Sequence, residues 1–148
     1  MVWGCMAASG VGKLVFIDGK MDRFAYKSII VQNIPLSKDI LGLGDNFIFQ
    51  QDNDPKHKSA YVTDYFKETG INRLEWPSQS PDLNPIEHLW DHVKREVRNA
   101  APKTIHELKK ILPQIWSQIT PDYCKRLVHT MPKRVEEIAR VNGRHTSF

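Results

Sequence analysis

Three closely spaced prolines constrain the middle of this chain more than any other feature. Pro77, Pro81 and Pro85 each fix φ near about −65° and push the preceding residue out of the helical region, which predicts a stiff loop. Asn84 is a favourable N-cap, a proline is tolerated in the first helical turn that follows, and Glu87 comes three positions after the cap. The loop is therefore predicted to deliver the Glu87 carboxylate to the start of a helix.

A second carboxylate lies upstream. The apolar run at 46–51 predicts a buried strand that ends at Asp52, in an acidic turn that reaches Pro55. A strand end and a helix start that each present a carboxylate suit a hard divalent cation. Each acid also has an ordinary structural interpretation. Glu87 can complete a capping box and complement the helix dipole, and Asp52 can form an Asx turn.

Two long motifs contain these acids. Residues 50–57 read Gln-Gln-Asp-Asn-Asp-Pro-Lys-His, and residues 76–87 read Trp-Pro-Ser-Gln-Ser-Pro-Asp-Leu-Asn-Pro-Ile-Glu. Both resemble the catalytic domain of Tc/mariner-type transposases, which belong to the ribonuclease-H-like, or DDE, superfamily. Between Asp52 and Glu87 lie 34 residues, the spacing between the second Asp and the final Glu in the Tc branch of that family. The resemblance covers nearly all of the chain.

The resemblance implies an α/β fold, a ribonuclease-H-like mixed sheet flanked by helices in residues 1–99, with a helical, basic extension over 100–148. In the family three carboxylates hold two Mg²⁺ (or Mn²⁺) ions for DNA strand cleavage and strand transfer. Carried over, Asp52 is the second acidic ligand and Glu87 the third. The family's first catalytic Asp precedes the segment that matches Met1. We therefore expect an N-terminally truncated transposase fragment that is inactive alone.

The resemblance also implies partners: transposon ends and target DNA, a second copy of the chain in a homodimer, and a nuclear location. Lys56, His57 and Lys58 are predicted at the N-terminal end of a helix over 55–69, where they would bind DNA phosphates. A metal-ligand role for His57 is the alternative, but because Mg²⁺ prefers oxygen ligands, a hydrogen-bonding or phosphate-binding role is favoured.

Charge is unevenly distributed. Residues 1–91 hold 9 Lys/Arg and 12 Asp/Glu, whereas residues 92–148 hold 12 Lys/Arg and 5 Asp/Glu. A basic segment beside a carboxylate site suits a polyanionic substrate, and a solvated helical surface explains the charge equally well. The alternative function is therefore a non-catalytic DNA-binding or interaction domain derived from a transposon relic.

Histidine and cysteine positions give weaker signals. His88 and His92 form an i, i+4 pair that can bind Zn²⁺, but no third ligand is evident nearby, so solvent-facing histidines are predicted. Cys5 and Cys124 follow neither a zinc nor a redox spacing, which predicts reduced, buried thiols. No apolar run approaches the length of a membrane span, so no membrane partner is expected.

The remaining pattern predicts the order of the elements. A hairpin over 1–8 and 11–17 turns at Ser9-Gly10, and an amphipathic helix runs from Asp22 to Asn33 and breaks at Pro35. A short strand at 71–74 precedes the proline loop. Three further helices follow the one that begins at Pro85; they start near residues 104, 120 and 132, and Pro113 is expected to kink or split the first.

Overall fold

A computed structural model of the chain describes residues 1–77, Ser80 and residues 83–140. These residues divide into two units. The first comprises Met1–Cys5 and Gly12–Ser80, and the second comprises Met6–Val11 and the chain after Ser80. The predicted boundary after residue 99 lies inside the second unit. The middle of the predicted proline loop and the tail beyond residue 140 lie outside the described residues.

The predicted N-terminal hairpin is confirmed. Strand β1 (Val2–Ala7) pairs with strand β2 (Gly10–Phe16) in a two-stranded sheet. The turn consists of Ala8 and Ser9, one residue earlier than predicted. Gly10 instead begins β2 with φ 140°, a conformation that glycine adopts without steric penalty.

Helix α1 (Arg23–Ile40) starts as predicted but does not stop at Pro35. Asp22 caps it by accepting hydrogen bonds from the backbone N–H groups of Phe24 and Ala25, at 2.9 and 2.8 Å. An interior proline costs about 3 kcal/mol. Ile34 and Leu41 are buried on either side of it, and each buried side chain of this size contributes about 1.5–3 kcal/mol. Packing therefore outweighs the predicted break.

Strands β3 (Ile48–Phe49) and β4 (Asn72–Arg73) form a separate parallel pair, with Ile48 opposite Asn72. Both are shorter than predicted. The expectation of a buried strand over 46–51 is wrong, since Ile48 is 62 % exposed. Within the part of the chain that the structure describes, β4 is the only strand beside β3, so no second ladder extends or covers it.

Helix α2 (Ala60–Thr69) begins five residues later than predicted, because residues 55–58 form a turn. It ends as predicted at Gly70, whose φ of 67° is left-handed. Helices α1 and α2 pack together and form most of the core of the first unit. This core consists of Tyr26, Ile30, Ile34, Val62, Tyr65 and Phe66.

The described part of the second unit contains four helices, α3 (Pro85–Ala100), α4 (Ile105–Ser117), α5 (Pro121–His129) and α6 (Met131–Arg140). Helix α3 packs against α4 and α5, and α5 packs against α6. The rings of Trp90 and Trp116 stack at 5.0 Å between centroids.

Helix α4 confirms its predicted start and contradicts its predicted break. Glu107 N–H donates to the Thr104 hydroxyl at 3.1 Å, and the Glu107 carboxylate accepts from the backbone N–H of Lys103 at 2.7 Å. The helix passes through Pro113 because Leu112 and Trp116, on either side of the proline, are both buried.

Each unit holds one thiol. Cys124 is fully buried in the second unit, and Cys5 is half-buried in the first. Burial raises the pKa of both thiols. None of the described helices is long and apolar enough to cross a membrane.

Candidate active site

Asp52 lies in the turn that connects β3 to α2, and its side chain is 55 % exposed. Its Oδ1 accepts a hydrogen bond from the backbone N–H of Asp54 at 3.2 Å, which is the predicted Asx turn. The same oxygen lies 2.5 Å from Nδ1 of His57. Among the described residues, the hydrogen bonds of this carboxylate all use Oδ1. Its Oδ2 is therefore the oxygen available to a ligand.

His57 is more enclosed than its predicted role implies. Its side chain is only 13 % exposed, and its ring stacks on that of Tyr26 with centroids 3.8 Å apart and planes inclined by 29°. Nε2 is buried and has no hydrogen-bond partner in the described part of the chain. The imidazole thus faces Asp52 and Tyr26.

Tyr26 and Gln51 connect α1 to this turn. The Tyr26 hydroxyl donates to Oε1 of Gln51 at 2.7 Å, and Nε2 of Gln51 donates to the backbone carbonyl of His57 at 3.1 Å. Sequence reasoning missed both roles. Tyr26 lies in the predicted amphipathic helix from Asp22 to Asn33, to which no site role was assigned, and the position of Gln51 beside Asp52 was the one available signal. Their contacts close the turn on itself and fix it to the helix.

Lys56 and Lys58 were predicted at a helix N-terminus. This prediction is wrong, because α2 begins only at Ala60 and both lysines precede it. Lys56 forms an ion pair with Asp54 at 2.7 Å, and its backbone N–H donates to the same carboxylate at 2.9 Å. Lys58 is exposed. Of the two lysines, Lys58 is the one presented to solvent.

The pKa values of the local acids are lowered. The hydrogen bond from His57 lowers the pKa of Asp52 and outweighs the opposing effect of partial burial. Burial opposes ionisation of Asp54 as well, but the hydrogen bonds from Lys56 bring its pKa below the usual value. Burial, together with the negative charge of Asp52, raises the pKa of the Tyr26 hydroxyl. Asp52 is consequently an anion at neutral pH.

An open cleft of about 810 Å³ adjoins Asp52 within the first unit. Three cationic side chains line it: Lys58 and Lys67, which are exposed, and Arg73. The aromatic side chain of Trp76 also lines it. The Arg73 guanidinium lies 5.0 Å from the centre of the Phe66 ring, which holds it at the cleft wall. The lining also holds a second carboxylate, Glu75. The three cationic side chains outnumber the two acids, which favours an anionic ligand such as a phosphodiester.

Glu87 lies in the second unit, where the predicted helix start is confirmed. Asn84 is the N-cap residue, its carbonyl accepts from Glu87 N–H at 3.1 Å, and the Glu87 side chain is exposed in the first turn of α3. The described residues contain no group of three His, Cys, Asp or Glu side chains that could hold a metal ion. Asp52 and Glu87 stay predicted metal ligands.

His88 and His92 are half-buried, so the prediction that they face solvent is wrong. Nε2 of His88 contacts the guanidinium of Arg134. Nδ1 of His92 accepts from Arg95 at 2.8 Å, and its ring packs 4.7 Å from that of Tyr123. These contacts place both histidines in the helix packing of the second unit.

Comparison with known proteins identifies relatives of the whole chain. Residues 14–109 match the DDE superfamily endonuclease family. The chain is 38 % identical to the Tcb2 transposase of Caenorhabditis briggsae and to the Tc1 transposase of Caenorhabditis elegans. Each alignment covers 100 % of this chain and 54 % of the relative. The chain thus spans about half the length of these relatives.

Solved structures give the fold. The Mos1 transposase catalytic domain with Raltegravir and Mg superposes with a TM-score of 0.85 at 20 % identity, covering 99 % of this chain and 75 % of that one. The Mos1 transposase paired-end complex with the left transposon end gives 0.84 at 20 % identity, covering 97 % and 43 %. The predicted ribonuclease-H-like α/β fold is confirmed.

Proposed function

Because this chain belongs to the DDE superfamily endonuclease family, we propose that it supplies part of the active site of a DNA transposase, an enzyme that cleaves and joins DNA strands with a divalent cation. The carrying observation is the Asp52 carboxylate, which is exposed, has a lowered pKa and lies at the edge of a cleft lined by three cationic side chains and by Glu75.

The donor chemistry fits a hard cation. Asp52 offers a carboxylate whose Oδ1 is already fixed by hydrogen bonds, as is common for metal-binding carboxylates. Glu87 offers a second exposed carboxylate. We assign both as ligands of Mg²⁺ or Mn²⁺, with oxygen donors that these ions prefer. A bound cation would polarise a phosphate oxygen and lower the pKa of an attacking water or hydroxyl.

DNA is the proposed substrate, since relatives are transposases of transposable elements and the cleft suits phosphates. Lys58 and Arg73 would neutralise phosphates beside Asp52 and so hold a strand near the carboxylate. Lys56 takes part through the Asp54 pair, which fixes the turn. Action on transposon ends and target DNA, as a homodimer in the nucleus, extends the same proposal to the whole enzyme.

A direct experiment maps Mn²⁺ onto the 148-residue chain by paramagnetic broadening of backbone amide signals. We expect broadening around residues 52–57 that EDTA reverses and that Asp52→Asn removes. Asp64→Asn is the matched control, because Asp64 is an exposed acid of the same unit that pairs with Lys67 on its own helix. Millimolar Mn²⁺ that leaves the signals near Asp52 unchanged would disprove the metal assignment.

Strand cleavage is tested separately. With two of the family's three carboxylates, the 148-residue chain is expected to nick supercoiled DNA negligibly in Mg²⁺. Strong nicking that Asp52→Asn abolishes would contradict that expectation and uphold the metal role. Strong nicking that survives Asp52→Asn would argue against both.

DNA binding without catalysis is the second candidate, favoured by the exposed cationic side chains of the second unit. Lys94 and Arg95 are 67 % and 59 % exposed on α3, and Lys110, Lys125 and Arg126 are exposed on α4 and α5. If they contact phosphates, affinity for duplex DNA should fall steeply as salt rises and vary little with sequence. Fluorescence anisotropy at several salt concentrations measures this, and a flat response would exclude the candidate.

A further inference from the structure

We propose that His57 is a positioning residue for Asp52, and that the Tyr26 ring holds the His57 imidazole in place by stacking on it. The inference rests on the proposed function, because it concerns the carboxylate assigned there as a metal ligand. It gives His57 a different task from phosphate binding and assigns one to a tyrosine that lies 31 residues earlier along the chain.

The hydrogen bond between His57 and Asp52 has a defined direction. An ionised carboxylate has no proton to donate, so Nδ1 of His57 must be the donor in its 2.5 Å contact with Oδ1. The backbone N–H of Asp54 reaches the same oxygen. Two donors on Oδ1 restrict the rotation of the carboxylate, and both hydrogen bonds leave Oδ2 unused within the described part of the chain. His57 therefore selects the oxygen that meets a ligand.

The other ring nitrogen of His57, Nε2, is isolated from hydrogen-bonding groups of the described residues. Nε2 is buried and has no partner among the described residues, so the hydrogen bonding of this ring is directed entirely through Nδ1. A buried polar atom without a partner is unfavourable and rare in native structures. Its retention here is explained if the ring is held for the sake of its contact with Asp52.

The His57 imidazole is held in place by the side chain of Tyr26. Tyr26 is 1 % exposed and belongs to the core, so its ring has a fixed orientation. The imidazole stacks on it at 3.8 Å, which sets the plane in which Nδ1 points. Through Gln51 the Tyr26 hydroxyl also holds the backbone carbonyl of His57. Ring plane and backbone are thus fixed from one core residue.

The test uses Mn²⁺ titration of the chain, followed by paramagnetic broadening near residue 52, with variants that move the donor. His57→Asn keeps an amide N–H near the position of Nδ1, whereas His57→Gln moves it to the position of Nε2 and His57→Ala removes it. We expect Ala and Gln to raise the Kd for Mn²⁺ by roughly 10- to 100-fold and Asn to recover most of that loss. His106→Ala, at an exposed histidine of the second unit, should change nothing.

The support from Tyr26 is tested in the same titration. Tyr26→Phe keeps the stacked ring and loses only the hydroxyl, whereas Tyr26→Leu loses both. A smaller rise in Kd for Phe than for Leu is expected. Equal affinities in wild type, Phe and Leu would remove Tyr26 from the proposal. Circular dichroism of each variant identifies any that fail to fold, and His57→Asn keeps the main test available in that case.

A readout without metal separates this inference from the function on which it rests. Nitrogen-detected NMR of the His57 imidazole, at fixed neutral pH and without metal, should show a proton on Nδ1 whose signal shifts in Asp52→Ala. A neutral ring protonated on Nε2, or a signal that ignores Asp52→Ala, overturns the positioning role. Absence of Mn²⁺ binding in wild type overturns the proposed function and leaves the NMR result to decide the role of His57. Equal Mn²⁺ binding in wild type, Ala and Gln overturns only the positioning role.

Discussion

The two candidate carboxylates lie in regions that are built differently. Asp52 follows a two-residue strand, and its orientation depends on His57 and on Tyr26 from another helix. Glu87 lies in the first turn of a 16-residue helix whose N-cap residue is Asn84. Local backbone geometry thus places Glu87, whereas side chains from distant parts of the first unit place Asp52.

This difference shows where each position is vulnerable. A functional group on a helix inherits the precision of the helix, but a group on a turn needs surrounding side chains to hold it. The acidic turn has those side chains in the first unit, namely His57 on the turn itself and Tyr26 on α1. We therefore expect substitutions in the core of the first unit to disturb Asp52, and substitutions in the core of the second unit to act through helix packing.

Truncation of one large aromatic in each core should give the largest effects. Phe66 is buried against Phe49 in the first unit, and Trp116 is stacked on Trp90 in the second. Phe66→Ala and Trp116→Ala are each expected to lower the free energy of unfolding by about 3–5 kcal/mol. Urea unfolding measures both, with Ile105→Ala as a control because Ile105 is exposed. A loss below about 1 kcal/mol would show that the core assignment is wrong for that unit.

An added methyl group at Gly12 should have the next largest effect. A Cβ there would lie 2.6 Å from the sulfur of Cys5 and 2.8 Å from the Ser37 side chain, both in the first unit. Gly12→Ala is expected to lower the free energy of unfolding by about 1–3 kcal/mol through overpacking. The same substitution at Gly44 meets no atom within 4 Å. Equal thermal shifts in the two variants would mean that the hairpin does not pack tightly on α1.

The two units end a helix with different residues, which allows a reciprocal exchange. Gly70 follows α2 with φ 67°, and Ala101 follows α3 with φ 46°. A left-handed conformation is unfavourable for alanine by about 1–2 kcal/mol. We expect Gly70→Ala to lower the melting temperature and Ala101→Gly to raise it, each by about 1 kcal/mol in stability. Changes of the same sign in both variants would contradict this account of the helix ends.

Replacing the N-cap residues should have effects similar in size to those of the helix-end exchange. Asp22 caps α1 through two backbone N–H groups, and Thr104 caps α4 through one. Each Ala variant is expected to lose about 1 kcal/mol, within a range of about 0.5–2. Differential scanning calorimetry of both variants would show whether the cap with two hydrogen bonds contributes more. A larger loss at Thr104 would reverse that order.

Local signals in the sequence predicted the elements well. The helix starts near Asp22, Asn84 and Thr104 and the helix end before Gly70 all depend on residues within four positions of one another. Such short-range chemistry is visible in a sequence. Two prolines misled the prediction, because burial on both sides of Pro35 and Pro113 outweighs the missing hydrogen bond.

The candidate site divides along the same line. The motif around Asp52 identified the carboxylate, and the Asx turn follows from residues two positions apart. The stacking of Tyr26 on His57 depends on how α1 packs against the turn, which no local pattern specifies. The length of β3 also depends on a distant part of the chain, because a strand extends only as far as the partner strand beside it. It could therefore not be predicted from the local sequence.

The reaction rates of the two thiols with an alkylating reagent would measure how often each unit opens locally. Cys124 has no exposed surface among its helices, so a small alkylating reagent can reach it only when those helices separate transiently. Cys5 is half-buried beside Gly12 and Ser37, so fraying of the hairpin is enough to expose it. Alkylation followed by mass spectrometry would therefore give two opening rates from one sample, the faster for the hairpin and the slower for the helices.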